Sequence, residues 1–226
     1  MLLIIAGPLP ADVIVDVQDA LITADGTGFV NVLISSNANP SSPDDVDFAS
    51  YEFLIENVGT PSSALEFVLP PDLSEDSDSD YLFFGDSFGI DYDSFNSTTA
   101  TYIGSDGTGS GTGVSLDSSS GDRLLVRLDL QHTLGPGQSA AMAVGEQFRI
   151  TLQNSLDTYF DDPSFNPISV DADSYNSSGT GGGLITVSAS SSAAVPEPSS
   201  WAVLALGGIA LAVRRRRSGS ASVGRQ

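Results

Sequence analysis

The chain is 226 residues long and carries 29 acidic against 8 basic residues, a formal net charge of −21, with no lysine and no cysteine. That charge sets nucleic-acid binding aside, because phosphate backbones demand a basic surface, and the missing cysteine rules out disulfide staples, thiolate metal centres and a thiol nucleophile. The length allows one domain of roughly 150–200 residues with a hydrophobic core of its own.

Residues 1–11 read as the remnant of a signal peptide. An apolar run from Met1 to Ala6 meets Gly7, Pro8 and Pro10, and Ala11 is a small residue suited to the cleavage point. The basic leader of such a signal is missing, which places the expected true start upstream. The alternative is a first strand with a ragged start, against which Gly-Pro-Leu-Pro argues.

From residue 12 to residue 188 short apolar or alternating runs are broken by turn residues. Val13 to Thr23 and Phe29 to Ser36 are joined through Asp25-Gly26 in a hairpin-like turn. Further strands are predicted in "YEFLIEN" (51–57), "ALEFVLP" (64–70), "YLFFG" (81–85), "RLLVRLDLQHTL" (123–134), "EQFRITLQN" (146–154) and "GLITVSAS" (183–190). Arg123 to Leu130 alternates charged and aliphatic residues except at Leu125, the period-2 signature of a strand with one wet face. Only "SAAMAVG" near residue 140 looks briefly helical. The reading is all-β, an antiparallel β-sandwich of about eight to ten strands. Two low-complexity stretches interrupt it, an acidic loop (74–80) and a Gly/Ser/Asp stretch (104–122) expected to be flexible. No repeat of solenoid or propeller period is present.

The strand order loosely resembles cohesin-like and carbohydrate-binding-module sandwiches of secreted bacterial proteins. The likeness lies in "VDVQDALITADGTGFVNVLIS" and the aromatic-bearing "ASYEFLIEN" that follows.

Residues 189–200 form a linker that ends in a Pro-Glu-Pro motif. Residues 201–217 hold thirteen uncharged residues, Trp201 to Val213, and then four arginines. A spanning helix usually takes about 17–25 residues, so this run is short, but its flanks argue for a single transmembrane helix. Trp201 sits where an interfacial anchor would, and Arg214, Arg215, Arg216 and Arg217 would hold their end in the cytoplasm. A water-soluble helix would lack a polar face. Residues 218–226 are a short polar tail. Everything before residue 195 carries three arginines against 28 acids, a net of −25, so the arginines are concentrated where positive charge sets topology.

Val195, Pro196, Glu197 and Pro198, the apolar helix and the arginine block stand in the order of the PEP-CTERM sorting signal, which this tail resembles. The resemblance implies an exosortase-type membrane protease as partner and a lipid bilayer around the helix before processing. It also implies bacteria that make exopolysaccharide or biofilm matrix, so exopolysaccharide is a further candidate partner. The nine residues after Arg217 depart from the nearly terminal basic block usual in such tails.

Chemistry in the body is harder to read. Asp76, Asp78 and Asp80 have the alternate spacing of a calcium loop, but Tyr81 and Ser87 stand where an EF-hand needs glycine and glutamate. Asp91 with Asp93, and Asp171 with Asp173, share the spacing alone; solvated loop acids are the plainer reading, with calcium left open. Glu52, Glu56, Glu66 and Glu146 fall in or beside predicted strands, where a hydrolytic pair would need two of them across one cleft. His132, the only histidine, has no nucleophile elbow beside it, and the glycine run at 107–113 lacks the ending of a phosphate loop. Tyr81 to Phe95 concentrates six aromatics among aspartates, which suits sugar stacking if the rings are exposed and core filling if they are not.

The expected function is a non-catalytic, exported surface or extracellular-matrix protein, with the sandwich serving adhesion or structure and no catalytic residue, cofactor or metal assigned. The alternatives are a carbohydrate-binding module, which needs several Tyr81–Phe95 rings on one face, and a secreted hydrolase, which needs paired acids in a cleft and a raised carboxyl pKa. The expected location is the cell envelope before processing, then the cell surface or matrix.

Overall fold

Thr27–Ser36 alternates buried and exposed side chains along most of its length, and slipping its pairing by one residue would turn its whole apolar set into water. That pattern, repeated in other runs, builds the fold seen in a computed structural model that describes residues 12–189. The chain divides into two units, Met1–Ser190 and Ser191–Gln226, and the described residues all belong to the first.

The smaller sheet has four strands in the order β1 (Val13–Val17), β3 (Thr27–Ser36), β10 (Arg123–Thr133) and β6 (Ala64–Phe67), every neighbour antiparallel. The larger sheet has the path β2 (Ala20–Thr23), β13 (Gly182–Ser188), β11 (Gln147–Leu152), β5 (Phe48–Val58), β8 (Thr101–Gly107) and β7 (Asp91–Tyr92). β5 is long enough that one of its edges serves two partners, β11 at Phe53–Val58 and β12 (Tyr159–Asp161) at Phe48–Ser50. A separate pair joins β4 (Asp44–Val46) to β9 (Val114–Leu116).

One core receives the inward side chains of both sheets. Val13, Val15, Val17, Val30, Val32, Ile34, Val126, Leu128 and Leu130 come from the smaller sheet, and Tyr51, Phe53, Phe148, Ile150, Leu152, Ile185 and Val187 from the larger. Each such aliphatic or aromatic side chain contributes about 1.5–3 kcal/mol by leaving water.

The all-β expectation is met, with four differences of detail. There are 13 strands among the described residues rather than eight to ten, because short pairs such as β4–β9 form inside stretches without hydrophobic patterning. The β2–β13 pair is parallel, so the sandwich is not antiparallel throughout. The Gly/Ser/Asp stretch expected to be flexible supplies β9 and the end of β8, a strand paired on both sides. "YLFFG" is not a strand but a series of turns, in which Phe84 N–H donates to Tyr81 O (3.1 Å) and Asp86 N–H to Phe83 O (3.0 Å). Turns let Tyr81, Leu82 and Phe83 all enter the core, which alternation in a strand forbids. Leu125, the break in the β10 alternation, coincides with a bulge between Leu124 and Val126 and is fully buried. The brief helical reading near 140 is met by one turn, Ala140–Ala143.

No helix among the described residues is long and apolar enough to cross a membrane. The signal-peptide remnant (1–11), most of the Pro-Glu-Pro linker (189–200), the transmembrane helix and arginine block (201–217) and the polar tail (218–226) lie outside the described residues.

Candidate functional site

β5 and β12 bring Phe48, Ser50, Tyr159 and Asp161 onto the outer face of the larger sheet. Phe48 stands opposite Asp161 and Ser50 opposite Tyr159, while Ala49 and Phe160 between them are buried. The ring of Phe48 lies nearly parallel to two others, Tyr159 with centroids 5.6 Å apart and Phe88 at 6.1 Å. Phe88 can reach this place because Gly107, across from Phe48 on β8, has no side chain; a Cβ there would come within 2.7 Å of Phe88 Cε1. Phe88 is 57% exposed and Phe165, at the rim, is 81% exposed. Together with Asp47 and Thr108 these side chains enclose a cleft of about 310 Å³. A second cleft of about 430 Å³ lies further along β5, lined by Ser50, Ile103, Ser105, Tyr92, Phe95 and Asp157 among others.

Two loops with nearly the same sequence hold the rims. In "DSFN" (93–96) Asp93 Oδ1 accepts from the N–H groups of Phe95 (2.8 Å) and Asn96 (3.2 Å), and Asp93 Oδ2 accepts from the Asn96 amide. In "DPSFN" (162–166) Asp162 Oδ1 accepts from Ser164 N–H (2.8 Å) and Asn166 N–H (2.8 Å), and Asp162 Oδ2 from the Asn166 side chain (2.9 Å). These bonds hold both carboxyls below the usual range: for Asp162 the Asn166 side chain does most, for Asp93 the Phe95 N–H. Each clamp presents a phenylalanine to water, Phe95 at 96% exposure and Phe165 with a left-handed φ of 60°. Such a φ is costly for a side chain of this size and persists only where its surroundings hold it.

Of the six aromatics in Tyr81–Phe95, Tyr81 and Phe83 fill the core, Tyr92 is half-buried, and Phe84, Phe88 and Phe95 are exposed. The single-face arrangement was half legible: Phe88 and Phe95 line neighbouring clefts, but Phe48, Tyr159 and Phe165 come from elsewhere in the chain. The signal that points to Phe165 is the recurrence of Ser-Phe-Asn at 94–96 and 164–166, and no local signal marks Phe48 or Tyr159.

The candidate acids are scattered. Asp78 accepts from Asp80 N–H and Asp171 from Asp173 N–H, each shaping its own turn. Asp76 accepts from the Ser77 hydroxyl, and Asp91 from Tyr92 N–H at the edge of the second cleft. No three acids or histidines converge as metal ligands among the described residues. Glu52 and Glu66 are half-buried and Glu56 is exposed. Two carboxyls among the described residues have a raised pKa. Asp16 is raised by burial and then by Asp122 and Asp19, and it lines a cleft with Asp19, Val17, Gln18 and two glycines, where no ring offers a stacking face. Asp19 is already engaged by Leu184 N–H (2.7 Å). Glu75 sits inside the core.

His132 is completely buried, with Phe148 edge-on at 6.1 Å. Its Nδ1 accepts the Asp25 N–H (2.9 Å), so its proton is on Nε2, which donates to Ser63 Oγ (2.8 Å). Ser63 in turn donates to Glu146, whose carboxylate also accepts from Ser62 N–H and Gln138. The serine lies between histidine and acid with its hydroxyl proton directed at the carboxylate, the reverse of the relay in which histidine takes a serine proton. This network ties the β5–β6 and β10–β11 connections together. Burial lowers the His132 pKa, partly opposed by Glu146 and Asp25. A lowered folded value means stability that is present above the unfolded value of about 6.5 and lost as the pH falls through the folded value. His132→Gln is expected to unfold more easily at pH 8 yet to lose less stability between pH 7 and pH 5, as read by urea midpoints.

Arg127, 5.4 Å above the exposed Phe29 ring, covers the corresponding aromatic on the smaller sheet and pairs with Asp72 (2.8 Å) and Asp129 (3.2 Å). Among the described residues, no basic residue lines either cleft of the larger sheet.

No curated protein matches the chain in sequence. Solved structures similar to it include the sixth cohesin of Acetivibrio cellulolyticus scaffoldin B, in complex with a dockerin, at 11% identity over 79% of this chain and 99% of that one, TM-score 0.46. A non-cellulosomal cohesin of Archaeoglobus fulgidus is similar at 16% identity over 82% and 96%, TM-score 0.46. A Clostridium acetobutylicum protein, CaCohA2, is similar at 16% identity over 80% and 93%, TM-score 0.42. The family-level match lies in the tail: residues 194–217 match the PEP-CTERM protein-sorting motif, which implies an exported, cell-surface-directed protein processed by an exosortase.

Proposed function

We propose that the chain is a non-catalytic surface or extracellular-matrix protein that adheres to polysaccharide through the outer face of its larger sheet. Its tail anchors it in the membrane by the apolar helix until an exosortase-type protease acts at Val195–Pro198, and Arg214 to Arg217 keep their end in the cytoplasm.

The observation that carries the adhesive reading is the set of nearly parallel rings of Phe48, Phe88 and Tyr159. A pyranose ring has an apolar face of C–H bonds and a rim of hydroxyls. Exposed rings receive the first while neighbouring aspartates accept hydrogen bonds from the second, a division of labour usual in ligand sites. The absence of a catalytic assignment rests on His132, Ser63 and Glu146 being consumed in a closed network, and on Glu75 lying in the core rather than across a cleft from another acid.

The test is retention of the full chain on insoluble polysaccharides (cellulose, chitin and the exopolysaccharide of the producing cells). Wild type is expected to be retained on at least one, and Phe88→Ala/Tyr159→Ala to lose about tenfold or more in affinity with its unfolding midpoint little changed, because both rings are exposed. Undiminished retention of the double variant would place adhesion elsewhere.

A further inference from the structure

We infer that the two clefts form one continuous track for a cationic glycan, a pyranose polymer with free amino groups, gated at its ends by Phe95 and Phe165. This rests on the polysaccharide-binding reading and narrows it to a charge class.

The clefts adjoin. Phe48 borders one and Ser50 the other, two residues apart on β5, about 7 Å along the strand. That separation is comparable with the rise of one sugar unit, so neighbouring units of a chain fall on neighbouring clefts. The side chains that point the same way from the next segment are Asp157, Tyr159 and Asp161, acid, ring, acid, with Thr158 and Phe160 buried between them.

Charge selects among glycans. Before residue 195 the chain carries 28 acids and three arginines. Arg123 and Arg127 are on the other sheet, Arg149 stands on β11 opposite Glu56 and lines neither cleft, and among the described residues aspartates line both clefts without a basic residue. A groove of one sign focuses its field and raises the local concentration of opposite charge. An ammonium group on the sugar gains twice, from the carboxylates and from the faces of adjacent rings. Polyanionic glycans are repelled, and neutral glycans gain the stacking without the attraction.

The clamped loops supply a reason for the cost of exposing Phe95 and Phe165. Neither ring helps to fill the core, and the backbone that carries each is held by a carboxylate, Asp93 accepting from the N–H groups of Phe95 and Asn96 and Asp162 from those of Ser164 and Asn166. A loop backbone already held in place loses little freedom on binding, which favours affinity.

Calorimetry of the full chain in detergent tests this with a glucosamine hexamer and its fully N-acetylated counterpart, at about pH 5.5, where the hexamer's amines are charged. The glucosamine hexamer is expected to bind at least about tenfold tighter in low salt, the advantage shrinking several-fold as salt rises. Phe95→Ala and Phe165→Ala should each weaken it by about fivefold or more with unfolding midpoints unchanged. Equal affinity for the two hexamers would overturn the cationic assignment and leave polysaccharide adhesion standing. Binding indifferent to both phenylalanines would overturn the track. Failure to bind either hexamer or any insoluble polysaccharide would remove both.

Discussion

Gly104→Val is expected to cost about 3 kcal/mol or more, a large part of the roughly 5–15 kcal/mol that holds a domain of this size together. Gly104 faces the core on β8, directly opposite Tyr51 on β5 and two residues after Tyr102. The rings of Tyr51 and Tyr102 lie nearly parallel with centroids 6.5 Å apart, and a Cβ on Gly104 would come within 2.7 Å of Tyr51 Cε2 and 2.9 Å of Tyr102 Cε1. Both rings are 1% exposed, so neither can swing into water to make room. Overpacking of this kind displaces backbone, and here it would spread through the β5–β8 ladder. Urea midpoints followed by circular dichroism measure it, since the only tryptophan lies in the tail. Tyr102→Leu, added to Gly104→Val, should recover part of the loss; an unperturbed Gly104→Val protein would show that the two rings are not packed as described.

Glu75→Gln is expected to make the protein more stable at neutral pH, the opposite of most core substitutions. Glu75 lies on a single 3₁₀ turn, Ser74–Ser77, at 3% exposure, and neither carboxyl oxygen has a hydrogen-bond partner among the described residues. The hydroxyls of Tyr51 and Tyr102 are also buried without partners. Burial pushes the Glu75 carboxyl up; the nearby N–H groups of Glu75 and Arg127 and the Arg127 charge pull the other way without closing a full hydrogen bond. For an acid whose folded value is raised, the favourable contribution is complete below the unfolded value, about 4.3, and is lost as the pH rises through the folded value. The variant's advantage should therefore be greatest above that range and vanish near pH 4. Melting temperatures of both proteins from pH 4 to pH 8 show this, and parallel curves would mean that Glu75 is solvated.

The parts of this molecule legible in the sequence are those where one face is wet. β3 and β10 alternate visibly, and the strand prediction there needed only the bulge at Leu125 to be complete. Glycine misled more. In "GSDGTGSGTG" it suggests flexibility, yet Gly104 and Gly107 are in strand β8 because aromatic rings occupy the space their side chains would take. Acidity misled likewise, since "SEDSDSD" reads as fully solvated and nonetheless delivers Glu75 into the core. The ring-lined face could not be assembled from composition, because Phe48, Phe88, Tyr159 and Phe165 meet only through the pairing of β5 with β8 and β12. The paired Asp-clamped loops were present in the sequence, and their shared Ser-Phe-Asn, with an aspartate two residues before the phenylalanine in one loop and three in the other, was the one local clue.

The most direct test of an exported, processed surface protein is the intact mass of the chain recovered from fractions of producing cells, with Pro196→Ala/Pro198→Ala alongside. A species ending near Val195 or Glu197, found outside the membrane fraction and missing from the variant, is the predicted result. Full-length protein confined to the membrane fraction for both would contradict it, leaving the tail a plain anchor.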